Sequence, residues 1–161
     1  MAVDPDERAI VATQLGRPPR ALRAIACRCP HGYPAVTEQA ALTDAGEPFP
    51  TTYWLTCPWL VAAVARLEAA GGVERWSSAA AADPALGESL TRAEERQREL
   101  RPELDAGIAG RRRAGTLKCL HAHVAFALAE PGYELGAAVL AEAGEQWCPD
   151  ARCRPGGRPT P

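Results

Sequence analysis

The chain has 161 residues, 47% hydrophobic and 24% charged, and its eighteen basic and twenty acidic side chains leave a net charge of −2. That is one domain's worth of sequence, able to bury about two-thirds of its surface and so to hold a core without disulfide staples. The charge balance argues against wholesale polyanion binding, which needs a positive surplus, and no apolar run approaches the roughly 20 residues that span a bilayer.

Asp4-Pro5-Asp6-Glu7 reads as a helix start, with Asp4 as N-cap, Pro5 at the first helical position and acids in the first turn. Gly16 ends that helix. Leu22 to Cys27 reads as a strand, followed by a knuckle-like turn at Pro30, Gly32 and Pro34 and a second strand over Ala35 to Ala40. Thr51 to Thr56, β-branched and aromatic throughout, is the best strand in the chain. Cys57-Pro58 opens a helix carrying Leu60, Val61, Val64, Leu67 and Glu68, which Gly71-Gly72 terminates. Asp83-Pro84 starts another, whose charged stretch from Thr91 to Leu100 reads as a solvated face. Leu104 to Gly115 reads as a Gly- and Arg-rich loop. Thr116 is the expected N-cap of a last core helix running from Leu117 to Leu128, and Glu134 to Ala143 adds a short one. The pattern predicts a single α+β domain over 1–148, a small N-terminal sheet with several helices packed on it, and a disordered Pro/Gly/Arg-rich tail over 149–161.

The acidic segment Met1 to Arg8 lacks the apolar stretch of a secretory signal, so a cytoplasmic setting is expected. In a reducing compartment clustered Cys and His point to metal or reactive thiols rather than disulfides. All three histidines sit beside a cysteine: Cys27, Cys29 and His31 in Cys-Arg-Cys-Pro-His-Gly, and Cys119, His121 and His123 in Lys-Cys-Leu-His-Ala-His. Cys57 ends the aromatic strand, and Cys148 and Cys153 bracket the start of the tail. Zinc-class ions want thiolates and neutral imidazoles on rigid elements. On a helix Cys119 and His123 share a face at i and i+4, whereas His121 points elsewhere. The most economical tetrahedral set is Cys29, Cys57, Cys119 and one histidine, either His31 or one from the last helix. Thiol chemistry is the second reading. A Thr116 cap puts Cys119 in a first helical turn, where N–H groups and the helix dipole favour a thiolate, with Lys118 and a histidine close by. A third feature is Gly107 to Gly115, in which Arg111, Arg112 and Arg113 precede a helix and could hold a phosphate.

Several segments together resemble a known family. They are Gln14-Leu-Gly-Arg-Pro-Pro-Arg20, Arg28-Cys-Pro-His-Gly32, Phe49-Pro-Thr-Thr-Tyr-Trp-Leu-Thr-Cys-Pro58, Leu67-Glu-Ala-Ala-Gly71 and Lys118-Cys-Leu-His-Ala-His123. They are similar to the domain-of-unknown-function 501 family of small bacterial proteins, common in actinobacteria, and the likeness runs from about Gln14 to Trp147. The resemblance carries no activity. It implies a cell-envelope or division setting, since members are encoded near septum-formation and exopolyphosphatase proteins. It also implies that His31 stands where members often have the second cysteine of a Cys-Pro-Cys-Gly knuckle, an exchange that suits a metal ligand and weakens an all-cysteine iron–sulfur site.

The expected function is a structural or regulatory zinc site, with an iron–sulfur cluster as the alternative cofactor. Two alternatives stand beside it: an enzyme using the same cluster as a catalytic metal or thiol site, and binding of a small phosphorylated ligand, rather than nucleic acid, through Arg111 to Arg113. Four protein ligands would close a structural site, whereas a catalytic one keeps an open position beside a pocket.

Overall fold

Two proline-started helices come out where their caps place them. In the computed structural model, which describes residues 2–111 and 117–156, Asp4 accepts the N–H of Asp6 at 2.8 Å and opens α1 (Pro5–Leu15), and Asp83 accepts that of Ala85 at 2.9 Å and opens α4 (Pro84–Leu100). Between them lie β1 (Leu22–Arg28), β2 (Pro34–Gln39), β3 (Tyr53–Leu55), α2 (Pro58–Ala69) and α3 (Gly72–Ala82). Single 3-10 turns at Pro102–Leu104 and Ile108–Gly110 follow, then α5 (Leu120–Ala129) and α6 (Glu134–Glu142). The architecture is the α+β one expected from the pattern.

The sheet is antiparallel in the order β1-β2-β3, with Val36 opposite Leu55 and Thr37 opposite Trp54. The central strand β2 is buried nearly throughout, so its sequence does not alternate. The β1–β2 pairing is broken by register shifts between Leu22 and Ala24, between Ile25 and Cys27, and between Cys27 and Arg28. Cys29 therefore leaves the ladder and sits in the connecting turn, where its N–H donates to Tyr33 O at 2.9 Å and its carbonyl accepts from Gly32 N at 2.9 Å.

Helix α5 occupies the middle. Leu120, Val124, Ala125 and Phe126 are buried, and the helix touches β3, α2 and α6 at once. A helix enclosed on all sides is apolar all round rather than on one stripe. No single helix among the described residues is long and apolar enough to cross a membrane.

The structure departs from the predicted elements in three places. The Gly71-Gly72 pair ends one helix and begins the next: Gly71 turns the chain at φ 82°, and Gly72 starts α3 with no room for a side chain, since a Cβ there would lie 2.6 Å from Leu67 O and 3.0 Å from a methyl of Leu120. The charged stretch of α4 is a solvated face only in part, with Thr91, Arg92, Glu95, Arg96 and Glu99 exposed. Glu94 and Gln97 are buried on it, and Arg101 at its end is buried too. Lastly, α5 starts at Leu120 rather than Leu117. Cys119 is its N-cap, in extended backbone at φ −161° and ψ 123°, while Thr116 lies outside the described residues.

α5 and α6 meet at Gly136, where a Cβ would fall 2.7 Å from both His123 O and the Cβ of Ala127 and 2.6 Å from the Tyr133 ring. Backbone cannot yield as a long side chain can. Gly136→Ala is therefore expected to destabilise the protein by about 1–3 kcal/mol through overpacking, read as a lowered urea midpoint. Gly16→Ala, at φ 70° with open space around it, should act through backbone strain alone.

Candidate functional site

The end of α2 and the start of α5 build one compact polar group. The first N–H groups of a helix have no partner inside it. At α5 the N–H of Leu120 finds Glu68 Oε1, from the last turn of α2, at 2.8 Å. The same oxygen lies 3.1 Å from Nδ1 of His121. His121 Nε2 lies 3.1 Å from Val61 O. A carbonyl only accepts, so Nε2 carries a proton and Nδ1 is left facing Glu68 and Cys119, whose Sγ is 3.9 Å away. The ligand atoms of Glu68, Cys119 and His121 all lie within 4.8 Å of one another. The Cys119 sulfur, the Val61 carbonyl and the Glu68 charge raise the His121 pKa to about 9 against an opposing effect of burial, so the ring is an imidazolium at neutral pH.

A cleft of about 520 Å³ opens beside this group. Tyr53, Trp54 and Leu55 of β3 line one part of it, and Lys118, Cys119 and His121 line another. The thiol, the imidazole and a lysine thus share a largely apolar cleft.

The other predicted ligands separate into different places. His121 joins Cys119, contrary to the helical-face argument, because Cys119 is the extended residue before the helix rather than part of its first turn. His123 goes the other way. It is fully buried, with Nδ1 2.7 Å from the Tyr133 hydroxyl. Cys29, His31 and Cys57 gather with the C-terminal segment. His31 Nε2 donates to Cys148 O at 2.9 Å, and Gln14 Nε2 spans from Pro34 O at 2.7 Å to Cys153 Sγ at 3.2 Å. Cys57, the N-cap of α2, is held against Ala35 O at 3.2 Å. Burial pushes its thiol up, the N–H groups of Leu60 and Trp59 pull it back, and Cys153 and Cys148 add to the rise. Burial also pushes the Cys153 thiol up, the Gln14 amide pulls it back, and Cys148 and Cys29 add to the rise. Cys27 is raised by burial and by Cys29. Of the tail, residues 149–156 are described: Arg152 stacks 4.7 Å from the Trp59 ring, and Trp59 Nε1 donates to Glu145 O at 2.7 Å. Residues 157–161 lie outside the described residues.

Arg111 is paired within the fold. Its Nε donates to Glu94 Oε1 at 2.8 Å, with both side chains largely buried. Arg112 and Arg113 lie outside the described residues.

What the fold and geometry define is a small α+β domain carrying a thiol–imidazole–carboxylate group on a cleft. Residues 25–141 match the family model described as protein of unknown function (DUF501), and the chain belongs to that family. Neither the curated proteins nor the solved structures contain a match to it.

Glu68 is the member of the group that the sequence does not single out. A glutamate near a helix end reads as a solvated charge, and only its position opposite the free N–H groups of α5 gives it a role. Its one sequence signal is that it follows the apolar helix positions Val64 and Leu67 instead of lying opposite them.

Burial holds the pKa of His123 down to about 3, with the Arg111 charge acting in the same direction. In the unfolded chain the ring titrates near 6.5. The unfolded state therefore takes up a proton that the folded state refuses, and stability falls as pH drops from about 6.5 toward 3. In His123→Phe this part of the acid destabilisation should vanish, measured as a smaller loss of melting temperature between pH 7 and pH 5 than in the parent protein.

Proposed function

We propose that Glu68, Cys119 and His121 form a three-ligand site for a zinc-class divalent cation, open toward the cleft, and that the domain is an enzyme acting through it. The carrying observation is the convergence of one sulfur, one nitrogen and one carboxylate oxygen within 4.8 Å, with Cys119 and His121 on the wall of that cleft. Three protein ligands with an open position are the pattern of catalytic rather than structural zinc. Such an ion supplies Lewis acidity toward a carbonyl or phosphoryl oxygen.

The chain's own residues do the positioning. The Val61 carbonyl fixes the tautomer and ring orientation of His121, as outer partners of metal-bound imidazoles do. The Leu120 N–H orients Glu68. The aromatic residues of β3 exclude water from one side of the cleft, and Lys118 supplies a positive charge among its lining residues.

Cobalt(II) titration tests this reading. A thiolate-to-cobalt charge-transfer band should appear with the parent protein and be lost in Cys119→Ser. His121→Ala should lower the affinity at least about tenfold. If the spectrum of bound cobalt is the same in all three proteins, the assignment fails.

A second reading rests on the place of Cys119 at the N-terminus of α5, where backbone N–H groups favour negative charge. With the His121 imidazolium beside its sulfur and Glu68 as the orienting partner of that ring, Cys119 would be a nucleophile with no need of metal. Rapid alkylation of Cys119 by iodoacetamide in metal-free protein, slowed in His121→Ala and unaffected by added zinc, favours this reading over the first.

The predicted ligands Cys29 and Cys57, together with Cys148 and Cys153, which the sequence does not assign, suit a separate, structural site. Cys29, Cys57, Cys148 and Cys153 come from three segments: His31 and Gln14 tie the β1–β2 turn to the C-terminal segment, and the Cys57 N–H donates to Ala35 O just after that turn. Their sulfurs are not drawn as close as the Glu68 group, and binding would have to pull them in. On this proposal the protein takes up two equivalents of zinc. Cys57→Ala with Cys148→Ala should lose one equivalent together with stability, since metal binding is then folding free energy. His121→Ala should lose the other and melt nearly as before.

A further inference from the structure

We propose that the buried guanidinium of Arg101, with the side-chain amide of Gln97 one turn before it on α4, binds a phosphate-class oxyanion. Arg101 is 3% exposed and Gln97 2%. Neither Nε nor Nη2 of Arg101 has a hydrogen-bond partner among the described residues, and neither reaches solvent. Those two N–H groups form one edge of the guanidinium, the edge that meets two oxygens of a phosphate or carboxylate side by side. The Nε2 amide of Gln97 is likewise buried and unpartnered. Arg101 follows directly on α4 as its C-cap, and its N–H donates to Gln97 O at 3.0 Å, which ties the two residues together through the backbone.

An arginine cannot escape burial by losing its proton. A buried charge without a partner is among the most unfavourable features a fold can carry, so a lasting counter-charge is required. The protein does not supply it among the described residues. Arg101 takes part in none of their ion pairs. Glu94, one turn before Gln97, is already committed. Its Oε1 accepts from Arg111, and its Oε2 is pressed so closely under Gly107 that a Cβ there would lie 1.2 Å away. The carbonyls at the C-terminal end of α4 offer partial negative charge. They accept nothing from the Nε and Nη2 edge.

The backbone of Arg101 is held on both sides, by Gln97 O at 3.0 Å and Leu104 N at 3.1 Å, so the side chain leaves from a fixed point. The donor set favours a tetrahedral oxyanion over a carboxylate. Two oxygens satisfy the guanidinium edge, and the Gln97 amide calls for a third that a carboxylate lacks. The proposed anion site lies at the C-terminal end of α4. It is independent of the Glu68 group and needs no metal.

Inorganic phosphate is the probe, applied to the full chain after dialysis into phosphate-free buffer, with malonate as a parallel arm. Melting temperature should rise with phosphate concentration, as for any ligand that binds only the folded state. Isothermal titration should show one site. Arg101→Lys keeps the charge but loses the two-donor edge, and should weaken phosphate binding roughly tenfold or more, the loss expected of one charge-assisted hydrogen bond. Arg101→Met should melt at or above the parent in phosphate-free buffer, because an uncompensated charge has been replaced by an apolar chain of similar length, and should show no response to phosphate. Arg23→Lys, an exposed control, should behave as the parent. The proposal is overturned if the parent does not bind phosphate, if Arg101→Lys binds it equally well, or if malonate binds and phosphate does not. It is also overturned if Arg101→Met melts far below the parent without phosphate, because the guanidinium would then have its compensation within the fold.

Discussion

The carboxylate of Glu68 set against the open end of α5 is the contact on which the rest of the site depends. A helix beginning inside a protein leaves several N–H groups that must be met by something other than water. Here the preceding residue, Cys119, makes no side-chain cap, and the acceptor arrives from a helix distant in sequence. One oxygen therefore ties α2 to α5, takes up a backbone donor and faces an imidazole. Because Leu120 packs against Gly72, directly after the turn at Gly71, the same junction fixes where α3 departs. Removing the carboxylate would loosen a packing joint as well as a polar group.

The interior holds a second set of polar residues with different physics. Glu94 with Arg111, and His123 with Tyr133, are buried pairs whose partners come from different parts of the chain. Such pairs contribute little net stability, since desolvation offsets most of the attraction, but each is costly to break once formed. The segment at Ile108–Gly110 touches both α4 and α5, and Arg111 directly after it anchors that crossing.

Much of the fold is legible in the sequence because its signals are local. Asp4-Pro5 and Asp83-Pro84 announce helix starts through their own side chains, and Thr51 to Thr56 announces a strand by composition. The site is only partly legible. Cys119 and His121 stand out as rare residue types side by side, yet which of them share a side depends on where α5 begins, and that boundary is set by tertiary contact with Glu68. His123 looks like a ligand for the same reason and is instead a core residue, with Nδ1 against the Tyr133 hydroxyl and Nε2 buried without a partner among the described residues. The burial of Glu94, Gln97 and Arg101 has no local signal, since a helix of alternating charges looks the same whether one face is covered or wet.

The irregular pairing of β1 with β2 has a bearing on how the protein behaves among its own copies. β1 is an outer strand, and an outer strand with even spacing invites another chain to continue the ladder. Register shifts at three points along it strengthen the local twist and interrupt the row of free backbone groups that such a guest would need. Arg23 and Arg28, each ion-paired within the molecule to Glu38 and Glu7, project charge from the same strand. The sheet can thus remain three strands wide in a crowded solution, with its open side protected against templated growth.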